Sequence, residues 1–302
     1  MSVAPQKFEE MQEELKAMAT KFNFGVAIDG SYMSQQALDL VCKLINESNA
    51  GRPKLHKVHC LHVENPEKQE ALSLQSAHFK HSATLRIERE THIEMKWVQK
   101  HLDVLKFKAE TSAGIFSLLE GMAKDNRIDV LVVGTFGLNG EKKDRIGRTS
   151  SFSMANSAIP VFIVKPTFLQ SQTSGNPRKF LIAVEGKTAS YKAMLFVLRY
   201  LVRPDKDVVH LFYKNTAKDT EGFFDPYIAL LDDMKVQHDA IFSEDRELNV
   251  AAEIVKKASD LECEFIVLGK KRTRSRAMIG SITDYVAARS KSSIIICKDS
   301  RF

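Results

Sequence analysis

The sequence has few cysteines, glycines and prolines, and it has no long apolar run. Its four cysteines, in 302 residues, form no CxxC pair, which argues against a disulfide framework or a cysteine-based zinc site and fits a reducing, cytoplasmic setting. Fourteen glycines and eight prolines are too few for a collagenous or low-complexity chain. No apolar run approaches the ~18–20 residues that cross a bilayer. We therefore expect a soluble protein of about two domains.

The charge is mildly basic, with a formal net charge of +6 and a pI near 9.0. Positive and negative residues are mixed, apart from one basic cluster at 270–276, KKRTRSR. That cluster is read either as a solvated loop or as a contact for phosphates or an acidic partner surface. Without interleaved aromatics or a recognised nucleic-acid module, it argues against nucleic acid as a partner.

The two halves of the chain repeat each other. In each half an apolar run ends in an acid and a glycine, a helical pattern follows, and two later apolar runs are separated by a polar, glycine-bounded loop. The matching pairs are FGVAIDG at 24–30 with FLIAVEG at 180–186, IDVLVVG at 128–134 with CEFIVLG at 263–269, and IPVFIVK at 159–165 with SSIIICK at 292–298.

These runs predict an α/β fold with two parallel sheets. They are apolar throughout rather than alternating, which is typical of strands buried on both faces, and they alternate with helices in βαβ order. Each half is expected to hold five strands. The polar segment at 66–100 is interpreted as an extended helix. The first copy places its strands near 23–28, 56–63, 104–109, 129–133 and 160–165.

An amphipathic helix precedes the first copy. Phe8, Met11, Leu15, Met18 and Phe22 recur at steps of three and four residues, which places them on one helix face. This helix either caps the surface of its own chain or docks on a partner protein.

A candidate ligand site lies where the first sheet reverses its strand order. Ligands of open parallel sheets bind outside the carboxyl ends of the strands at that point. Asp29 ends the first strand, and Gly134, Gly137 and Gly147 follow the fourth with G-x2-G-x9-G spacing. Glycine lets backbone N–H groups approach a phosphate closely, and the helix that starts at Arg148 offers further N–H groups to an anion.

These features resemble the universal stress protein family. The resemblance rests on VAIDGS, on the glycine spacing and on the closing IPVFIVK strand, and it covers nearly the whole chain after residue 22. It implies two tandem five-stranded, Rossmann-like domains of the adenine nucleotide alpha hydrolase-like type, packed as an internal pseudo-dimer. Pairing between chains in a homo-oligomer is the alternative. The expected boundaries are an N-terminal helix at 1–22, domains at 23–166 and 179–302, and a linker at 167–178.

Some members of that family bind ATP, which Mg²⁺ can accompany, so the resemblance implies an adenine nucleotide as a partner. It places the base and ribose on the first, second and fourth strands and the phosphates on the glycine loop. The residues carried over are Ala27, Asp29, Val63, Val133, Gly134, Gly137, Gly147, Arg148 and Thr149. Arg148 departs from the family pattern, which has Ser or Thr directly after the third glycine.

The second half departs further and is expected to bind nucleotide weakly or not at all. Its acid is Glu185, Tyr213 is assigned to the position of Val63, and Arg272 replaces the second glycine. The loop from Gly269 to Gly280 is also two residues shorter than its counterpart.

Nothing in the sequence indicates a dedicated catalytic or metal site, and slow hydrolysis of bound ATP stays open. His56, His59 and His62 share a strand but not a face, and no GxSxG elbow is present. Two functions stay open. The first is a nucleotide-responsive regulatory or stress-response protein. The second is a structural subunit of a larger assembly, for example cytoskeletal or ciliary, with vestigial motifs and with protein contacts through the N-terminal helix or the basic loop.

Overall fold

The computed structural model describes residues 4–18, 22–48, 56–64, 95–101, 111–137, 145–166, 176–214, 222–243, 247–270 and 280–298. These residues divide into two compact units. The first unit contains the described residues from 22 to 166. The second unit contains those from 176 to 298 together with the N-terminal helix α1 (Ala4–Ala17). None of the described helices is long and apolar enough to cross a membrane.

The first unit is built on a parallel sheet with strand order β3-β2-β1-β4-β5. Because β1 lies between β2 and β4, the strand order reverses at β1, as the sequence predicted. The strands are β1 (Phe22–Ile28), β2 (His56–Glu64), β3 (Met95–His101), β4 (Val130–Gly134) and β5 (Val161–Val164). The helices are α2 (Tyr32–Ser48), α3 (Thr111–Asp125) and α4 (Arg148–Asn156).

The second unit repeats this topology, with strand order β10-β9-β6-β7-β8 and β6 in the central position. Its strands are β6 (Lys179–Ala183), β7 (Val208–Lys214), β8 (Gln237–Ser243), β9 (Phe265–Lys270) and β10 (Ser293–Lys298). Its further helices are α5 (Thr188–Tyr200), α6 (Asp225–Asp233), α7 (Val250–Asp260) and α8 (Ser281–Arg289). The apolar runs of β9 and β10 are buried, as expected of parallel strands covered on both faces.

A described strand of the first unit lies where the sequence predicted a helix. Met95–His101 form β3, whereas the predicted strand at 104–109 lies outside the described residues. The predicted helix at 66–100 is therefore wrong from residue 95 onward, and the rest of it lies outside the described residues. The sequence of β3, MKWVQKH, has four polar residues in seven, and among the described strands β3 pairs only with β2.

Helix α1 packs on α5 and α6 of the second unit. Met11 is fully buried, and Gln12 Nε2 donates to Asp233 Oδ2 at 3.0 Å. The Tyr191 hydroxyl donates to Glu14 Oε2 at 2.5 Å. Met11 and Met18 of the predicted apolar face are thus buried within the chain, which agrees with the capping role of the two that the sequence allowed. Phe22 does not belong to this face, because it opens β1.

A buried ion triad fixes the entry into β6. Asp207 is fully buried and accepts hydrogen bonds from the guanidinium groups of Arg178 and Arg203, at 2.6 to 3.1 Å. It also accepts from the backbone N–H groups of both arginines. Burial by itself disfavours the carboxylate, but the bonds from Arg203 and the charge and bonds of Arg178 outweigh it and lower the pKa of Asp207.

We predict that Asp207→Asn lowers the free energy of unfolding by about 3–5 kcal/mol, because it leaves two buried arginines without their counter-charge. Urea unfolding at pH 7 measures the loss. The matched control is Asp205→Asn, an exposed neighbour whose φ of 64° suits asparagine. A similar loss in both variants would contradict the role of the triad.

The pH dependence of stability follows from the same contact. Since the folded pKa of Asp207 lies below its unfolded value of about 3.9, the stability that this group supplies is complete above the unfolded value. It is lost as the pH falls through the folded pKa. Asp207→Asn should therefore show a weaker loss of stability in acid than the wild type does.

Candidate functional site

Asp29 caps the turn that follows β1. Its Oδ1 accepts a hydrogen bond from the backbone N–H of Ser31 at 3.0 Å, just before α2 begins. The turn passes through Gly30, whose φ of +80° lies in the left-handed region that favours glycine. The carboxylate is half-buried, so part of it is accessible at the carboxyl edge of the sheet.

Gly137 brings the glycine loop against this carboxylate. A Cβ atom on Gly137 would lie 2.4 Å from Asp29 Oδ2, so a side chain there would require the carboxylate or the loop to move. Two residues that are 108 positions apart in the sequence are therefore in contact. The acid and the second glycine of the motif form one structural feature.

The first glycine of the motif has a packing role. A Cβ atom on Gly134 would lie 2.7 Å from Met33 Cβ, so glycine lets α2 lie close to the end of β4. The side chain of Val133 is 3% exposed. Only the backbone of Val133 is therefore available to a ligand at this edge.

Gly147 returns the chain to β4 at the start of α4. Its N–H donates to the Thr135 carbonyl at 2.7 Å, and the Ser150 hydroxyl donates to the Gly134 carbonyl at 2.7 Å. These bonds hold the first turn of α4 next to the carboxyl end of β4. The N–H groups of that turn have no acceptor within the helix, and the helix dipole favours an anion there. Arg148 is exposed and Thr149 is half-buried in this turn.

The end of β2 completes the edge of the site. The Nδ1 atom of His62 lies 2.8 Å from the Ile28 carbonyl oxygen. Val63 and, on β1, Ala27 are half-buried. His62, Thr135 and Ser150 lie in segments that the sequence assigned to the site, but they are not among the predicted binding residues, because each acts through one specific bond rather than through a spacing pattern.

The register of the second unit corrects one predicted correspondence. Ala27 pairs with Leu61, and its counterpart Ala183 pairs with Phe212. Counting forward from these pairs, Tyr213 corresponds to His62 rather than to Val63. The counterpart of Val63 is Lys214.

Lys214 carries a buried ion pair at the carboxyl edge of the second sheet. Its Nζ lies 2.6 Å from Glu253 Oε2 and donates to the Leu248 carbonyl at 2.5 Å. The Ser243 hydroxyl donates to the other oxygen of Glu253. Both ionised side chains are at least nine-tenths buried. In the second unit, the position that corresponds to Val63 is thus occupied by a buried network of charged and polar side chains.

An aromatic ring covers the acidic turn of the second unit. Phe223 stacks on Tyr213 with ring centroids 4.0 Å apart. A Cβ atom on Gly186 would lie 3.0 Å from the Phe223 ring. At the corresponding Gly30, no atom of the described residues comes within 4 Å of such a Cβ. Where the second unit is covered by its own ring, the described part of the first is open.

Glu185 differs from Asp29 in its partners. It is exposed, and its Oε2 lies 2.9 Å from Lys187 Nζ.

The nearby Tyr227 is buried beneath this turn. Burial raises the pKa of Tyr227 to about 12, against the effect of a hydrogen bond with Ser190, and the negative charge of Glu185 adds to the rise.

The comparisons agree with this repeated architecture. Residues 22–165 and, separately, residues 176–298 match the model of the Universal stress protein family. The chain belongs to the universal stress protein family. It is a tandem member with two copies of the domain, as the sequence predicted.

Solved structures of universal stress proteins share the fold. One is a universal stress protein from Archaeoglobus fulgidus DSM 4304, with a TM-score of 0.63 and 14% identity over 91% of this chain and 98% of that one. A functionally unknown protein from Pseudomonas aeruginosa PAO1 also shares the fold, with a TM-score of 0.61 and 14% identity over 94% of both chains. No curated protein matches the chain in sequence. The α/β, Rossmann-like fold class is confirmed.

The predicted replacement of a motif glycine by Arg272, and most of the basic cluster at 270–276, concern residues of this universal stress protein that the structure does not describe. These are residues 271–276, which include Arg272. Lys270, the first residue of the cluster, ends β9 and is buried, and burial lowers the pKa of its amine. Lys270 therefore belongs to the sheet rather than to an exposed basic surface.

We predict that Phe223→Ala lowers the free energy of unfolding by about 2 kcal/mol, because the ring is half-buried against Tyr213 and Gly186. Thermal or urea unfolding measures the effect. Phe242→Ala removes a ring of the same cluster that is 43% exposed, and it should cost clearly less. A larger loss from Phe242→Ala would show that Phe223 is not the main cover of this turn.

Proposed function

We propose that the first unit binds an adenine nucleotide, ATP in the first instance, and that the protein is a nucleotide-responsive member of the stress-response type. The observation that carries the proposal is the contact between the Asp29 carboxylate and Gly137. It joins a hydrogen-bond acceptor suited to a ribose with Gly137, a residue that has no side chain to cover its backbone. This fits the nucleotide that the family resemblance implies.

The phosphates would lie on the glycine loop and on α4. Gly137 supplies a close backbone approach, and the first turn of α4 supplies N–H groups and a partial positive charge. Arg148 is exposed at that turn and can add a charge-assisted bond. The hydroxyl that the family pattern has directly after the third glycine is available here from Thr149, one residue later.

The base would lie at the ends of β1 and β2, against the half-buried side chains of Ala27 and Val63. A ligand there meets apolar side chains and exposed backbone groups, which suits a flat heterocycle with hydrogen-bonding edges. The backbone of Val133 and Gly134 would border the ribose from β4. Bound Mg²⁺ would be held chiefly by the phosphates, since no group of three metal-ligating side chains occurs in the described residues.

The second unit would bind no nucleotide with comparable affinity. Lys214 and Glu253 fill the edge beside β7, and Phe223 covers Gly186. A ligand would have to displace a buried ion pair and a stacked ring. We also propose a binding function rather than a dedicated enzyme, because the described edge of the first unit holds no nucleophile paired with a base.

We predict that Asp29→Ala weakens ATP binding by about 1–3 kcal/mol, the scale of a lost hydrogen bond to a charged group. Glu185→Ala, at the matching position of the second unit, should leave the affinity unchanged. Isothermal titration with ATP, with and without Mg²⁺, measures both. Equal losses from the two substitutions would contradict the assignment of the site to the first unit, and absence of binding by the wild type would contradict the function.

Gly137→Val should weaken ATP binding more than Asp29→Ala does. Any Cβ at this position meets Asp29 Oδ2 at 2.4 Å, so the substitution moves the loop away from the carboxylate and also blocks the backbone from the phosphates. The same titration measures it, and circular dichroism shows whether the variant is folded. A folded Gly137→Val protein with wild-type affinity would exclude the loop as the phosphate site.

A further inference from the structure

His62 has a fixed hydrogen-bonding role at the end of β2. Its Nδ1 lies 2.8 Å from the Ile28 carbonyl oxygen, and His62 and Ile28 are register partners in the parallel pair β1–β2. A carbonyl oxygen only accepts, so Nδ1 carries the hydrogen and donates it. The side chain of one strand is thus bonded to the backbone of the next, at the last residue of β1.

This bond acts on the residue before Asp29. Ile28 is buried, at 3% exposure, and its carbonyl belongs to the peptide group that leads into Asp29. From there the carboxylate bonds the Ser31 N–H and lies against Gly137. Holding that peptide group in place also holds the backbone of Asp29, from which the carboxylate contacts the Ser31 N–H and Gly137.

The second unit lacks the bond. The counterpart of His62 is Tyr213, which has no ring nitrogen and stacks on Phe223 instead. The acid of that unit, Glu185, is exposed and paired with Lys187. The first unit therefore has both the imidazole hydrogen bond and an acid that lies against Gly137. At the corresponding positions the second unit has a stacked tyrosine and an acid paired with a lysine.

We infer that His62 is a positioning residue of the nucleotide site, which orients Asp29 through the Ile28 peptide group. The effect of His62 on nucleotide affinity rests on the proposed function. The orientation of Asp29 by the His62–Ile28 hydrogen bond requires no ligand. His62 is not counted as a contact residue, because its effect on the nucleotide passes through the carboxylate.

The first test compares two substitutions in the unliganded protein. In His62→Asn the amide nitrogen branches from Cγ as Nδ1 does and can donate to the same carbonyl, whereas His62→Gln carries its amide one carbon further out. Hydrogen exchange of the Ser31 amide reports the bond to Asp29. The amide should exchange faster in His62→Gln and return towards the wild-type rate in His62→Asn. Equal rates in the wild type and His62→Gln would overturn the positioning role.

The second test measures ATP affinity by titration. His62→Gln should weaken binding by about three- to tenfold, the range that one neutral hydrogen bond corresponds to, and His62→Asn should recover most of it. In an Asp29→Ala background, His62→Gln should cost less than about twofold, since the group it acts through is gone. Additive losses would overturn the inference.

The matched control is His238→Gln. The Nδ1 of His238 lies 2.9 Å from the Val236 carbonyl, and the residue is half-buried, so it makes the same kind of bond in the second unit. It should not change ATP affinity, and a loss equal to that of His62→Gln would count against a site-specific role. If the wild type bound no ATP, the proposed function would fall, and the exchange of Ser31 would still decide whether His62 holds Asp29.

Discussion

Both units depend on a close approach between the strand beside the central one, β4 or β9, and the start of the helix that follows the acid, α2 or α5. A Cβ atom on Gly134 would lie 2.7 Å from Met33 Cβ, and one on Gly269 would lie 2.4 Å from the backbone of Ala189 and Ser190. Because helix and strand touch here without an intervening side chain, the acidic turn is held at the carboxyl edge of the sheet. This glycine is required for the fold whether or not a ligand binds, so its presence in the second unit is no sign of a working site.

The two units differ in how they use the edge that this packing creates. In the first, half-buried Val63 and an uncovered Gly30 leave room among the described residues. In the second, Lys214 and Glu253 occupy the corresponding edge, and a buried ion pair is tolerated only when its remaining hydrogen bonds are made. The Leu248 carbonyl and other polar neighbours supply them. The second unit has the same strand order as the first, and the side chains of Lys214 and Glu253 fill its described edge.

The parts of the fold that sequence could predict are those encoded locally. Apolar runs predict buried parallel strands, and an acid followed by glycine predicts a turn at a strand end. Strand β3 was not recognised because MKWVQKH is largely polar, and a strand whose one described neighbour is β2 does not require an apolar run. The offset between Val63 and Tyr213 could not be seen either, because strand register depends on pairing and not on the spacing of residues between strands.

The contacts that decide the candidate site are the least visible in sequence. Asp29 and Gly137 were both named from their motifs, but their contact requires the fold. The ring of Phe223 covers a turn 37 residues earlier in the chain, and no periodicity relates Phe223 to Gly186. The same holds for Asp207 and its two arginines, which form a buried triad from three unpatterned positions.

The carboxylate of Asp29 couples two segments that would otherwise be independent. One oxygen holds the turn into α2 through Ser31, and the other lies against Gly137 at the start of the loop. A ligand that bonds to this carboxylate therefore acts on the turn and on the loop at once, and it shifts their conformations to the extent that it binds one arrangement better than another. Glu185 has no such link to a loop among the described residues, because its carboxylate is paired with Lys187. A response to nucleotide would thus begin in the first unit, at one side chain.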